Sequence, residues 1–131
     1  MIPTLWVALG GAVGSVARYW TGLAAARAWG EAFPWGTLTI NVLGSFIIGF
    51  FATLTLPDGP MPASANLRVL VMVGFCGGYT TFSSFSLQTL TLVRAGDWPG
   101  AMANMALSVL LCLAAVTAGH MLAARLGTAP A

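Results

Sequence analysis

The chain is 131 residues long, 58% hydrophobic and only 6% charged, with a mean hydropathy of +0.88. So little charge cannot cover a water-soluble domain of this size, and the composition points to an integral membrane protein. The net charge of +2 comes from five Arg and no Lys, too sparse and scattered for a nucleic-acid surface. Cys76 and Cys112 lie apart inside apolar runs and read as buried small hydrophobes, not as a disulfide.

Four apolar runs follow one another at 4–27, 37–56, 67–93 and 100–125. Each is long enough for a bilayer core of about 30 Å, which needs about 20 helical residues. The first has no basic residue near Met1 and carries Arg18 within it, the reverse of a secretory signal, so it is expected to be a retained span. Its spacings Gly10-xxx-Gly14 and Gly11-xxx-Ser15, with Gly74-xxx-Gly78 later, suit close helix approach within or between subunits. In the second run Thr37, Asn41, Gly44 and Ser45 recur on one helical face.

The third run holds the most unusual stretch, Gly74–Ser86, reading GFCGGYTTFSSFS. Adjacent glycines and a cluster of hydroxyls predict a broken helix near Gly77–Thr80, with Thr80 or Thr81 capping the restart. In hydrocarbon an unpaired backbone group costs several kcal/mol, so a break survives only against protein, ions or water and points to a transport pathway. Carbonyls freed there are candidates for holding a monovalent cation. Thr81, Ser84 and Gln88 form a second polar stripe; Asn104, Ser108 and Cys112 in the fourth run form a third. His120, late in that run, reads as structural or interfacial.

All seven prolines fall at run ends or in loops, and the short connections leave no room for a soluble domain. Trp29, Trp35 and Trp98 mark one membrane face and Trp6 the other, as an aromatic belt. One face receives Arg68 and Arg125, the other Arg27 and Arg94. With no excess on either side the positive-inside rule has nothing to act on, and both orientations are expected, giving an inverted pair. Glu31, Asp58 and Asp97 all lie in loops, so no span offers a carboxylate for proton coupling. No catalytic group or metal cluster can be assembled, and an enzyme is not expected. Neutral donors with Arg18 nearby favour an anion, and Phe82 and Phe85, turned edge-on, would present the positive rim of each ring.

The segments Gly10–Tyr19 (GGAVGSVARY), Gly36–Phe46 (GTLTINVLGSF) and Gly74–Ser86 resemble, in order and across essentially the whole chain, the CrcB or Fluc family of fluoride channels. The resemblance implies an all-α membrane protein with four transmembrane helices per subunit, assembled as an antiparallel, dual-topology homodimer with two pores. It implies a passive, fluoride-selective channel of the inner membrane that relieves fluoride toxicity. By the family pattern Phe82 and Phe85 line the pores, Asn41, Ser84 and Ser108 are donors along the path, and Arg18 matches the first-span arginine. The carbonyls of Gly77 and Thr80 from both subunits would hold a central structural sodium. Asn104, Gln88 and Cys112 depart from the usual Tyr, Glu and hydroxyl. The rival readings are a small four-helix multidrug exporter, which needs a membrane carboxylate, and a non-transporting assembly subunit.

Overall fold

The computed structural model describes residues 2–128, with the side chain of Thr128 excepted. Helix α1 is Ile2–Trp29, α2 is Trp35–Leu54, α4 is Phe82–Arg94 and α5 is Trp98–Thr128. Helix α3 covers 65–79 in three joined stretches, an α turn at Ala65–Arg68, a π-helical stretch at Val69–Cys76 and a last α turn at Gly77–Tyr79. The ends follow local chemistry. Gly30 and Gly96 adopt φ of +77° and +78°, the left-handed conformation that stops a helix. After α4, Gly96 N–H bonds to Val93 O at 3.0 Å and Asp97 N–H to Leu92 O at 2.9 Å, a Schellman closure. Asp97 then starts α5, its carboxylate accepting from Gly100 N–H at 2.9 Å, and Ser64 caps α3 by accepting from Leu67 N–H at 3.3 Å.

These bounds track the four apolar runs to within two or three residues at the ends. Among the described residues, three segments are long and apolar enough to cross a bilayer, Trp35–Leu54, Ala65–Arg94 and Trp98–Gly127. Helix α1, with 28 residues, is about 42 Å long at 1.5 Å per residue, but it is not among those three. Large apolar side chains face outward along every long helix, among them Val13, Leu43, Leu90 and Leu110. In water such a surface would be a liability; against lipid it is the expected one. The chain is an all-helical, multi-pass membrane protein.

The most extensive pairing joins α2 to α5, and the next joins α1 to α3. Both depend on missing side chains. A Cβ on Gly49 of α2 would lie 2.3 Å from the Val116 carbonyl of α5, and one on Gly14 of α1 only 2.2 Å from the Phe75 carbonyl. The Gly10/Gly14 and Gly74/Gly78 spacings therefore serve packing inside one chain.

One sequence expectation is corrected here. The break does not start at the glycine pair: Gly77 is helical at φ −63°, ψ −39°, and the chain leaves the helix at Thr80. Gly78 is small because α1 presses on it, since a Cβ there would sit 2.6 Å from the Gly11 carbonyl. Glycine at this point serves contact, not flexibility.

Gly14→Val should destabilise the protein by about 1–3 kcal/mol through overpacking. Gly22→Ala is the control, because its Cβ would meet only Ile40 Cδ1 at 4.0 Å. Thermal unfolding in detergent should show a lowered midpoint for the first variant and none for the second.

Candidate functional site at the helix break

Thr80 lies at φ −82°, ψ 158° and Thr81 at φ −153°, ψ 108°, so two consecutive residues are extended between α3 and α4. Their polar groups must be satisfied from elsewhere. Thr80 remains tied to the end of α3, its N–H donating to Cys76 O at 2.9 Å and its hydroxyl to the same oxygen at 2.8 Å. The Thr80 carbonyl accepts from Arg18 Nη1 of α1 at 3.3 Å. The Thr81 N–H donates to Asn41 Oδ1 at 2.8 Å, and the Thr81 carbonyl accepts from Asn41 Nδ2 at 3.1 Å.

Thr81 also restarts the helix. Its hydroxyl accepts from Ser84 N–H at 3.1 Å and donates to Ser84 Oγ at 3.0 Å, which is N-cap geometry. Of the two threonines proposed as the cap, the structure uses Thr81. Because the Thr81 N–H is spent on Asn41, it cannot reach back four residues to Gly77, as it would in a continuous helix.

A cleft of about 480 Å³ opens beside the break, and Asn41, Ser45, Thr81, Phe82, Phe85 and Ser108 are on its wall. Gly77, Thr80 and Cys112 border it as well. The Phe82 and Phe85 rings stand 5.3 Å apart at 48°. Phe82 is 78% exposed, the most of any large apolar residue among those described. A ring so bare is not packing its own chain. Among the described residues no carboxylate borders this cleft, and no group of three His, Cys, Asp or Glu could hold a metal.

Four of the six expected site residues, Asn41, Phe82, Phe85 and Ser108, thus share one cleft. Ser84 is turned toward Thr81, and Arg18 stands behind the break. The polar stripe of the fourth run divides. Ser108 and Cys112 face the cleft, but Asn104, 2% exposed, donates from Nδ2 to Thr89 Oγ1 at 2.9 Å and ties α5 to α4. Gln88 borders a second cleft of about 430 Å³ with Thr37 and Thr91, its Oε1 buried without a partner. His120, expected to be structural or interfacial, is exposed, with Nδ1 2.8 Å from the Thr53 hydroxyl. Sequence reasoning missed that Asn41 and Arg18 grip the break. The partners are 40 and 62 residues apart, and no local pattern reports such a contact.

Residues 5–120 match the profile of the family described as CrcB-like protein, Camphor Resistance (CrcB). The chain belongs to this family. Among its relatives, a protein of Opitutus terrae named "Fluoride-specific ion channel FluC" is 57% identical over 124 residues, covering 95% of this chain and 94% of that one. Proteins of the same name from Gluconobacter oxydans and Rhodospirillum rubrum are each 58% identical, covering 91% and 88% of this chain and 83% and 90% of theirs. The motifs quoted from the sequence all fall inside the CrcB match.

Thr81→Val should cost about 1 kcal/mol, the usual worth of an N-cap, whereas Thr81→Ser keeps the acceptor for Ser84 N–H. Chemical denaturation followed by helix content checks the pair, and equal loss in both would remove the capping role.

Proposed function

We propose that the chain is a fluoride-selective passive channel of the inner membrane, and that the cleft beside the break is its anion pathway. The observation that carries this is the bare Phe82 ring, set with Phe85 beside Asn41 and Ser108 in a cleft bordered by no acid. Relatives bearing the name fluoride-specific ion channel cover nearly the whole chain. Fluoride enters acidified cells as the neutral acid and is trapped inside as the anion, so a leak for the anion alone relieves poisoning.

The physical task is to replace the water shell of a small anion without a fixed counter-charge. The N–H of Asn41 and the hydroxyls of Ser108 and Ser84 donate hydrogen bonds, while the edges of Phe82 and Phe85 carry the positive rim of the ring quadrupole. Arg18, held at the Thr80 carbonyl, adds positive potential without standing in the cleft. Neutral donors suit an anion that must leave again, since a bare cation in the path would hold it. Selection against larger halides would come from a constriction narrower than this open cleft of about 480 Å³.

The finer assembly belongs to the same reading. Four transmembrane helices per subunit, with α3 and α4 as one interrupted span, form a single transmembrane domain, and two copies pair in opposite orientation. Balanced arginines, Arg27 and Arg94 against Arg68 and Arg125, support insertion both ways. The exposed Phe82 and the open space at Gly77, where a Cβ would meet nothing within 4 Å, support a second copy against this face. A structural sodium at the dimer axis would use the carbonyls of Gly77 and Thr80. The chemistry fits in part, because the Gly77 carbonyl has lost the donor four residues on, while Thr80 shares its oxygen with Arg18. One chain offers two such oxygens; two chains offer four. Sodium there would neutralise dipoles at the seam and take no part in conduction.

An exporter of the small multidrug kind needs an intramembrane carboxylate, and Glu31, Asp58 and Asp97 all lie outside the helices. Liposomes holding only this protein should release fluoride and retain chloride. Phe82→Ile or Phe85→Ile should cut fluoride release by about tenfold or more, the worth of roughly 1.4 kcal/mol in the barrier, with the elution volume of the dimer unchanged. Undiminished release from the double variant would remove both rings from the path.

A further inference from the structure

The Asn41 side chain meets the backbone of one residue, Thr81, at both of its polar atoms, and so ties down the two successive peptides on either side of the Thr81 Cα. Its Oδ1 takes the Thr81 N–H at 2.8 Å and its Nδ2 gives a hydrogen to the Thr81 carbonyl at 3.1 Å. A primary amide has an oxygen and two N–H donors. Turning the amide over would set oxygen against carbonyl and NH₂ against N–H, replacing two attractions by two repulsions, so its orientation is locked. One Nδ2–H is left for the cleft that Asn41 borders.

We propose that Asn41 is a positioning residue, which holds the two peptides flanking Thr81 at the break and is itself held by them with an N–H, not the amide oxygen, toward the cleft. Two consequences follow. Phe82, the next residue along, takes the direction of its ring from a peptide that α2 anchors, which links α2 to the aromatic wall. The sign preference at this point comes from a neutral amide that cannot flip, because a mobile amide would offer its oxygen to a cation as readily as its hydrogen to an anion. The second consequence rests on the anion-pathway reading. The clamp itself does not, and it is measured without transport.

The test is hydrogen–deuterium exchange of the full-length protein in liposomes, resolved at the Thr81 amide. This is the N-cap amide of α4, a position with no partner inside its own helix, so its protection reports Asn41. Asn41→Leu has similar volume and removes both bonds; Asn41→Asp keeps an acceptor for the Thr81 N–H and loses the donor to the Thr81 carbonyl. Thr81 exchange should be at least about tenfold faster in Asn41→Leu, as the loss of one buried hydrogen bond implies, and close to wild type in Asn41→Asp. Exchange at Val116, on the α2–α5 seam, should be unchanged in both, and fluoride release should be lost in both. If Asn41→Leu does not assemble, the wild type and Asn41→Asp still decide the matter. Rapid Thr81 exchange in the wild type, or in Asn41→Asp, overturns the clamp. Slow exchange as expected in a wild type that releases no fluoride upholds the clamp and removes the anion pathway.

Discussion

Two residues, Thr80 and Thr81, leave the helix inside an apolar layer, and each polar group they free has to be met by a neighbouring helix. Most of the other features answer to that demand. Arg18 comes from α1 and Asn41 from α2, so two helices converge on one short stretch of backbone. The glycines of α1 and α3 let those two backbones touch, which brings Arg18 within reach. Thr81 then closes the first turn of α4 with its own hydroxyl. The break is a built feature: Arg18 and Asn41 meet the freed groups of Thr80 and Thr81 directly, and the Gly77 carbonyl gives up its helical donor to Asn41.

The same arrangement decides what can sit beside it. Irregular backbone in lipid is tolerated where it is buried in protein or borders a cavity, and here it does both. One side is clamped and the other opens on the cleft with Phe82, Phe85 and Ser108. With its oxygen spent on Thr81, Asn41 offers an N–H donor beside hydroxyls that can donate as well as accept. An arginine held just behind adds positive potential, and acids are confined to the helix ends and loops. A cation finds little to bind along that wall, apart from the Gly77 and Thr80 carbonyls at its edge, whereas a small anion finds N–H, O–H and ring edges.

Much of this was legible in the chain itself. Runs of apolar residues gave the helix positions, because a bilayer sets their length; the closures at Gly30, Gly96 and Asp97 came from the structure. The stripe on α2 was legible as far as Asn41, Gly44 and Ser45, as residues three and four apart share a face, whereas Thr37 and, from the α4 stripe, Gln88 border the second cleft. What depended on tertiary contact was not. The break was expected near Gly77–Thr80 and lies at Thr80–Thr81, since Gly78 answers to pressure from α1, which a one-dimensional pattern cannot show. Asn104 shared a stripe with Ser108 but turned to Thr89. The π-helical stretch at Val69–Cys76 had no signature at all. It is a run of apolar residues and one glycine that packs against α1.

In the proposed channel, charge selection is the work of neutral dipoles and one displaced guanidinium, and the reversal potential in a planar bilayer tests that most directly. With fluoride at unequal concentrations across the membrane and sodium salts balanced by an impermeant anion, the current should reverse at the fluoride equilibrium potential. It should stay there when sodium is exchanged for a large organic cation. A reversal that follows the cation, or that moves to the chloride potential when chloride is added, would contradict the assignment of the cleft to a small anion.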